Sequence, residues 1–203
     1  MRRIATSFLI AAAMAALMPA QTEPAPCKSG TLQEYIDLFQ DLGCTIGGTV
    51  FGGFELVPTV AGAEPTDPLN VRITPVNDSR GQGLEFAVNL SALSGRISEL
   101  SLGFIVSRAG LTRNTLSTSG ATATGDGAVA VVEKKCLGDW QFSGLCFVPT
   151  TATSIAAVIS DQEVPAEPLT FEPVDMIGVA LDIVVDGGLN GQAALVSSRV
   201  QFQ

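Results

Sequence analysis

The chain has 203 residues, a formal net charge of −9 and no histidine. Without an imidazole, nucleophilic sites of the Ser-His-Asp and Cys-His types are excluded, as are zinc sites with histidine ligands. The excess of acidic residues repels phosphate backbones and anionic lipid headgroups, so we expect neither nucleic acid nor an anionic membrane surface as a partner.

Residues 1–20 have the pattern of a secretory signal peptide. Two arginines near the start precede an apolar run over 4–17, which is too short to span a bilayer comfortably. Cleavage is expected after Ala20, with Ala15 as a second candidate. Loss of the two arginines takes the net charge from −9 to −11. We therefore expect an exported mature chain, with no membrane span in it.

The four cysteines, Cys27, Cys44, Cys136 and Cys146, favour two disulfides, because they are an even number in a chain with an export signal. Three pairings can be drawn. We expect Cys27–Cys44 and Cys136–Cys146, because each encloses a short segment. The alternative is a zinc site with four cysteine ligands, but zinc knuckles have only about two to four residues between paired ligands.

A proline-rich lead-in over 21–30 precedes one predicted helix, 31–42. Thr31 and Glu34 have the spacing of a capping box at its start, and Gly43 is expected to end it. Apolar residues at helical spacing predict a stripe buried against a β-domain; they are Leu32, Tyr35, Ile36, Leu38 and Phe39.

From residue 45 onward, apolar and polar residues alternate with the period of two that marks strands with one buried face. The clearest segment is 177–185, which places Asp182 and Asp186 on the face opposite the apolar residues. The other predicted strands cover 49–57, 70–75, 84–90, 100–106, 128–134, 153–160, 169–173 and 194–202.

Loops rich in Gly, Asn and Asp separate these strands at 77–83, 125–127 and 186–191. The small polar residues of 119–127 predict a flexible loop tip. About eight to ten short strands in a chain of this size predict an all-β fold. We expect one antiparallel β-sandwich, jelly-roll-like, over 31–203, with one short N-terminal α-helix.

Carboxylates are the remaining resource for catalysis, since a glycosidase needs two acids about 5 to 10 Å apart. Asp182, Asp186, Glu85 and Glu99 are candidates, but the sequence does not show which of them converge. Solvated acids on an outer sheet face are the more ordinary interpretation. Because no catalytic motif is recognisable, we expect a protein that is not an enzyme.

Two further features could bind a ligand. Asp186 and Asn190 offer hard oxygen ligands in a Gly-rich loop and are weak candidates for calcium, although a hairpin that needs Gly for positive φ explains this loop better. No metal or organic cofactor is expected. Trp140, within the Cys136–Cys146 loop, is a candidate ligand contact, or it covers the disulfide.

Several segments resemble a group of exported bacterial proteins of the PEP-CTERM sorting type, whose function is unknown. The resemblance covers the signal peptide, the Cys136–Cys146 loop, and the segments 30–35, 43–47, 71–76 and 185–193. It implies an exported β-rich domain that is held at the cell surface or released into the matrix. The Pro-Glu-Pro motif, apolar helix and basic tail of that group are not found, which favours release from the cell over retention at its surface without deciding between them.

We therefore expect a secreted or cell-surface, non-enzymatic structural or adhesive domain. One alternative is an extracellular carbohydrate-binding domain, with or without carboxylate-based glycoside hydrolysis. The other is a subunit of a surface assembly formed by strand pairing. The expected partners are an extracellular polysaccharide or other surface proteins. An exposed aromatic row or a cleft with two acids would favour the first alternative, and an unprotected edge strand the second.

Overall fold

A computed structural model describes residues 23–38, 43–138 and 151–203. These residues form a helix, α1 (Leu32–Asp37), and fourteen strands. The strands are β1 (Ala25–Pro26), β2 (Gly30–Thr31), β3 (Cys44–Ile46), β4 (Thr49–Leu56), β5 (Glu64–Pro65), β6 (Arg72–Asp78), β7 (Gly81–Leu93), β8 (Ile97–Ser119), β9 (Thr122–Thr124), β10 (Ala128–Leu137), β11 (Thr151–Ile159), β12 (Gln162–Val164), β13 (Leu169–Asp186) and β14 (Gln192–Phe202).

The long strand β8 joins two layers, because it pairs with different strands along its length. Its first part, 97–107, lies between β13 and β4, and its last part, 114–119, pairs with β14. The first layer has the order β12-β11-β10-β13-β8-β4-β3-β1, and the second has the order β8-β14-β7-β6-β2. Nearly all described pairs are antiparallel. The predicted all-β antiparallel sandwich is therefore confirmed.

The core lies between the inner faces of the two layers. The prediction of which residues of β13 face the core is confirmed, since its alternate apolar side chains are all buried. Asp182 and Asp186 project from the opposite face and are only partly buried. The buried set in β13 comprises Ile177, Val179, Leu181, Ile183 and Val185.

A run of four aromatic rings connects the helix with both layers. Tyr35 of α1 meets Phe54 of β4 edge-on, with ring centroids 5.2 Å apart. Phe54 stacks on Phe104 of β8 at 5.5 Å and an interplanar angle of 13°, and Phe104 lies 6.0 Å from Phe86 of β7. All four side chains are buried, so this run fixes α1 and β4 against the sandwich.

The helix begins as predicted and ends earlier. Thr31 N donates to Glu34 Oε2 at 2.7 Å, and Glu34 N donates to Thr31 Oγ1 at 3.2 Å, which is the predicted capping box. Leu38 is the C-cap, so the prediction of a helix to residue 42 is wrong in its length. Residues 39–42, which include Phe39, lie outside the described residues. Because the helix has fewer than two turns, it buries Leu32 and Tyr35 fully, and Ile36 and Leu38 only in part.

Gly43 is needed for a close approach of two chain segments. Its φ is +82°, and a Cβ at this position would lie 2.1 Å from Phe51 O of β4. Any larger residue would therefore push the segment before β3 away from β4, in addition to adopting a conformation that side chains disfavour.

Two predicted loops are shorter or more ordered than the sequence suggested. The loop predicted over 77–83 is a two-residue turn, since β6 ends at Asp78 and β7 begins at Gly81. The segment 119–127, predicted as a flexible tip, contains β9, which pairs with β14 and buries Ala123. Its small Thr and Ala side chains give a weak strand signal, so only the pairing with β14 reveals it.

Candidate functional site

Two of the four acids considered for catalysis come together, Glu99 of β8 and Asp182 of β13. In the pairing of these strands Asp182 lies opposite Ser101, and Glu99 lies opposite Val184. The two acids are thus diagonal neighbours on the outer face of the first layer. Each carboxyl group influences the ionisation of the other. We call Glu99 and Asp182 the carboxyl pair.

The segment that follows β4 covers one member of the carboxyl pair. Val60 N donates to Glu99 Oε2 at 2.9 Å. Thr66 donates to the Glu99 backbone carbonyl, from its hydroxyl at 2.9 Å and from its amide at 3.0 Å. Only 2% of Glu99 remains exposed. The backbone of this segment therefore fixes Glu99 and separates it from solvent.

Burial raises the pKa of both carboxyl groups. For Glu99, desolvation has the largest effect; the Val60 amide opposes it, and the neighbouring Asp182 raises the pKa further. For Asp182, desolvation again has the largest effect, and the Ser101 hydroxyl, the Glu99 carboxyl and the charge of Lys134 oppose it. The two carboxyl groups therefore titrate as a coupled pair, in which both pKa values lie above the ordinary range.

This geometry does not suit glycoside hydrolysis. The two carboxyl groups of a glycosidase flank the scissile bond with about 5 to 10 Å between them. Glu99 is enclosed beneath the segment after β4, so it cannot flank a saccharide bond on the outer face. The arrangement instead ties the segment after β4 to the outer face of the first layer.

Glu85, the third acid, pairs with a cation on the neighbouring strand. It lies opposite Arg199 in the register of β7 and β14, and Arg199 Nε donates to Glu85 Oε2 at 3.0 Å. Arg199 Nη1 also lies 3.6 Å from Asp78 Oδ2. These side chains are about a third exposed, so the ion pairs contribute modestly to the register of the second layer.

Asp126, which the sequence analysis did not single out, organises the 186–191 loop, where Asp186 and Asn190 were weak candidates for calcium. Its carboxylate accepts from Leu189 N at 2.9 Å and from Asn190 N at 2.8 Å, and these amides lower the pKa of Asp126. Asp186 Oδ1 accepts from Gly188 N at 2.8 Å. Both carboxylates thus accept hydrogen bonds from backbone amides of the loop. No group of three or more Cys, Asp or Glu in the described ranges could hold a metal ion.

The cysteine prediction is confirmed for its first pair. Cys27 and Cys44 form a disulfide with their Cα atoms 4.8 Å apart, and this links the segment after β1 to β3. Cys136, at the end of β10, is also disulfide-bonded. Its predicted partner Cys146 and the candidate contact Trp140 lie outside the described residues, so that pairing and that contact stay predictions.

A second polar cluster lies in the core between the two layers. Glu133 and Lys135 of β10 are two residues apart on one strand face, and both are fully buried. Asn114, on the part of β8 that enters the second layer, and Ser154 of β11 are buried beside them. We call these four residues the buried polar cluster.

Short contacts link all members of the buried polar cluster. Lys135 Nζ lies 3.1 Å from Glu133 Oε2 and donates to Ser154 Oγ at 2.9 Å. Asn114 Nδ2 donates to Glu133 Oε1 at 3.0 Å, and Ser154 Oγ donates to Asn114 Oδ1 at 3.5 Å. Desolvation raises the pKa of Glu133, and the charge of Lys135 opposes this effect.

The sequence contained a signal for this cluster. In the strand predicted over 128–134, the period of two places Glu133 in the same phase as Val129 and Val131, which are buried. A charged side chain in the buried phase of a strand needs a partner. Lys135 and Asn114 are those partners, but Asn114 belongs to a strand from the opposite layer.

One sheet edge is incompletely covered. β12 pairs only with Ala157–Ile159 of β11. Among the described strands, residues 151–156 of β11 have no partner on the side away from β10. Large apolar side chains are exposed at this edge, namely Ile155 at 52%, Ile159 at 55% and Val164 at 53%. Among the described strands, this edge is the one that would favour assembly by strand pairing.

In the described ranges, no helix is long and apolar enough to cross a membrane. No family model matches the sequence, and no curated protein matches it significantly.

Two solved structures are weakly similar. One is the carbohydrate-binding module TmCBM61 in complex with beta-1,4-galactotriose, with 11% identity and a TM-score of 0.29 over 83% of this chain and 98% of that one. The other is the enzymatically active domain of tailspike protein 4 from bacteriophage CBA120, with 11% identity and a TM-score of 0.27 over 78% of this chain and 20% of that one. These TM-scores are too low for the function of either molecule to be transferred.

Proposed function

We propose that the protein is an exported, non-enzymatic β-sandwich that acts as a structural or adhesive unit at the cell surface or in the surrounding matrix. The observation that supports this most is the use of its acids. Glu99 is enclosed beneath a backbone segment, Glu85 pairs with Arg199, and Asp186 accepts a backbone amide. Three of the four acids considered for catalysis thus contribute to the fold.

Cell fractionation tests the exported location. In cells that express the protein, N-terminal sequencing should find a mature chain that begins at Gln21 in the surface or extracellular fraction. A full-length chain confined to the cytosol would contradict the proposal.

Complementation tests the non-enzymatic role. Cells that lack the protein should adhere less well to a surface, and added mature protein should restore adhesion. Asp182→Asn should restore it as fully as the wild type does, because the proposal assigns no chemistry to this carboxylate. Restoration by the wild type but not by a folded Asp182→Asn variant would argue for catalysis.

Carbohydrate binding is an alternative that depends on Trp140. In the described ranges, six of the aromatic side chains are buried in the core rather than arranged as a surface row: Tyr35, Phe51, Phe54, Phe86, Phe104 and Phe202. Cosedimentation with insoluble polysaccharides tests this alternative. Binding that is lost in Trp140→Ala and retained in the control Phe171→Ala would favour it.

The uncovered edge of β11 favours one further candidate, assembly of copies of this chain. Antiparallel pairing of residues 151–156 with the same residues of a second copy would give hydrogen-bond partners to the backbone groups of this edge and cover Ile155. Light scattering over a range of concentrations should then show dimers in the wild type. Ile155→Lys should give monomers, whereas the control Leu93→Lys, at another exposed apolar site, should not. A wild type that stays monomeric would exclude this candidate.

A further inference from the structure

The buried polar cluster brings a primary amine, a carboxamide and a carboxyl group together where water is excluded. The amine is Lys135, the carboxamide is Asn114 and the carboxyl group is Glu133; none of the three retains measurable exposure. A lysine amine can replace the ammonia of a carboxamide to give a secondary amide, which needs no oxidant and no further reactant. The cluster therefore contains both reactants and a group that can move a proton between them.

Glu133 is placed between the nitrogen that would attack and the nitrogen that would leave. Its Oε2 lies 3.1 Å from Lys135 Nζ, and its Oε1 accepts from Asn114 Nδ2 at 3.0 Å. One carboxyl group thus touches both nitrogens, so it can take a proton from one and give it to the other. Desolvation raises the pKa of Glu133, which favours the neutral carboxyl group that results from taking the lysine proton.

The two side chains approach from opposite layers and share one neighbour. Ser154 Oγ accepts from Lys135 Nζ at 2.9 Å and donates to Asn114 Oδ1 at 3.5 Å. The amine and the amide carbonyl are therefore both in contact with the same hydroxyl group. Holding an amine and an amide carbonyl close together in this way lowers the activation barrier relative to that of the same reaction between separate molecules.

We propose that Lys135 and Asn114 form an intramolecular amide bond, with Glu133 as the proton carrier. Lys135 passes a proton to Glu133, and the neutral Nζ attacks Cγ of Asn114. The Nζ–Cγ bond forms and the Cγ–Nδ2 bond breaks. Glu133 delivers this proton to Nδ2, which leaves as ammonia. Nζ passes its second proton to the Glu133 carboxylate, so Glu133 ends as a neutral carboxyl group and no atom is oxidised or reduced.

The bond would be a second kind of covalent link beside the Cys27–Cys44 disulfide, which lies within the first layer. It joins β8 in the second layer to β10 in the first. This inference is independent of the proposed adhesive role, since it concerns the maturation of the chain and holds for any function of the domain.

Mass spectrometry of the purified, disulfide-reduced mature protein tests the proposal directly. Loss of one ammonia lowers the intact mass by about 17 Da relative to the sequence of the same chain. Trypsin should release residues 114–134 and 135–199 as one cross-linked species, because an acylated Lys135 is no longer a cleavage site. An intact mass that equals the sequence mass, with 114–134 recovered as a separate peptide, would overturn the proposal.

Variants then assign the roles. Asn114→Ala and Lys135→Met should each restore the full sequence mass. Lys134→Met is the matched control, because Lys134 is the adjacent exposed lysine on the opposite face of β10, and it should keep the deficit of about 17 Da. Glu133→Gln should reduce the cross-linked fraction at least about 10-fold at equal times after folding. Complete cross-linking in a folded Glu133→Gln variant would remove Glu133 from the mechanism, and a deficit that disappears in Lys134→Met would overturn the assignment.

Discussion

The aromatic run between the layers makes a quantitative prediction about stability. Phe104 is fully buried, stacked at 5.5 Å on Phe54 and 6.0 Å from Phe86. Phe104→Ala removes a ring that contacts both layers, so we expect a loss of about 3 to 5 kcal/mol in the free energy of unfolding. For a domain of this size this corresponds to a fall of about 10 °C in Tm.

Urea denaturation of the oxidised protein measures this loss. Phe104→Ala should lower the midpoint without changing the slope, whereas Leu93→Ala, at a site that is 67% exposed, should change stability by less than about 0.5 kcal/mol. A double-mutant cycle with Phe54→Ala should give a coupling energy of about 0.5 to 1.5 kcal/mol. A loss below about 1 kcal/mol for Phe104→Ala, or strict additivity with Phe54→Ala, would refute the idea that stacked rings connect the layers.

Three further predictions concern the acids. Desolvation raises the pKa of Glu99 above its ordinary value of 4.5, so its contribution to stability is complete below that value and is lost as the pH rises through the folded-state pKa. When the free energy of unfolding is measured against pH, Glu99→Gln should remove this decrease. The control Glu64→Gln, at an exposed site, should retain it. Parallel stability profiles for Glu99→Gln and the wild type would contradict the assignment. The amides of Leu189 and Asn190 donate hydrogen bonds to the Asp126 carboxylate, so Asp126→Asn should accelerate hydrogen exchange at both amides. Unchanged protection of these amides would count against a role for Asp126. Melting of the oxidised protein should be unaffected by a chelator, whereas a fall in Tm that calcium reverses would point to a metal site in the 186–191 loop.

The features that sequence predicted are those in which neighbouring residues carry the signal. The capping box of Thr31 and Glu34 is a contact over three residues, and the inner face of β13 follows from alternation within one strand. Such patterns do not depend on which strand pairs with which. They are therefore visible before the fold is known.

The features that sequence missed depend on register between distant segments. Glu99 and Asp182 meet because of the pairing of β8 with β13, and no local pattern specifies that pairing. β9 became visible only through its pairing with β14. Glu133 was visible as a charge in the buried phase of its strand, but its partner Asn114 comes from the opposite layer. Local periodicity thus predicts which face a residue occupies, and the topology decides which residue it meets.

We propose above that the outer-face acids of this domain, among them Asp182 and Asp186, do not act on a substrate. Release of reducing ends from a panel of extracellular polysaccharides tests this claim most directly, with the mature wild type, Asp182→Asn, and Asp186→Asn as the control on the same outer face of β13. From about pH 4 to 8, we predict no release above the protein-free rate for any of the three proteins. Hydrolysis by the wild type that is retained in Asp186→Asn and falls at least about 100-fold in Asp182→Asn would contradict the claim and make the carboxyl pair an active site.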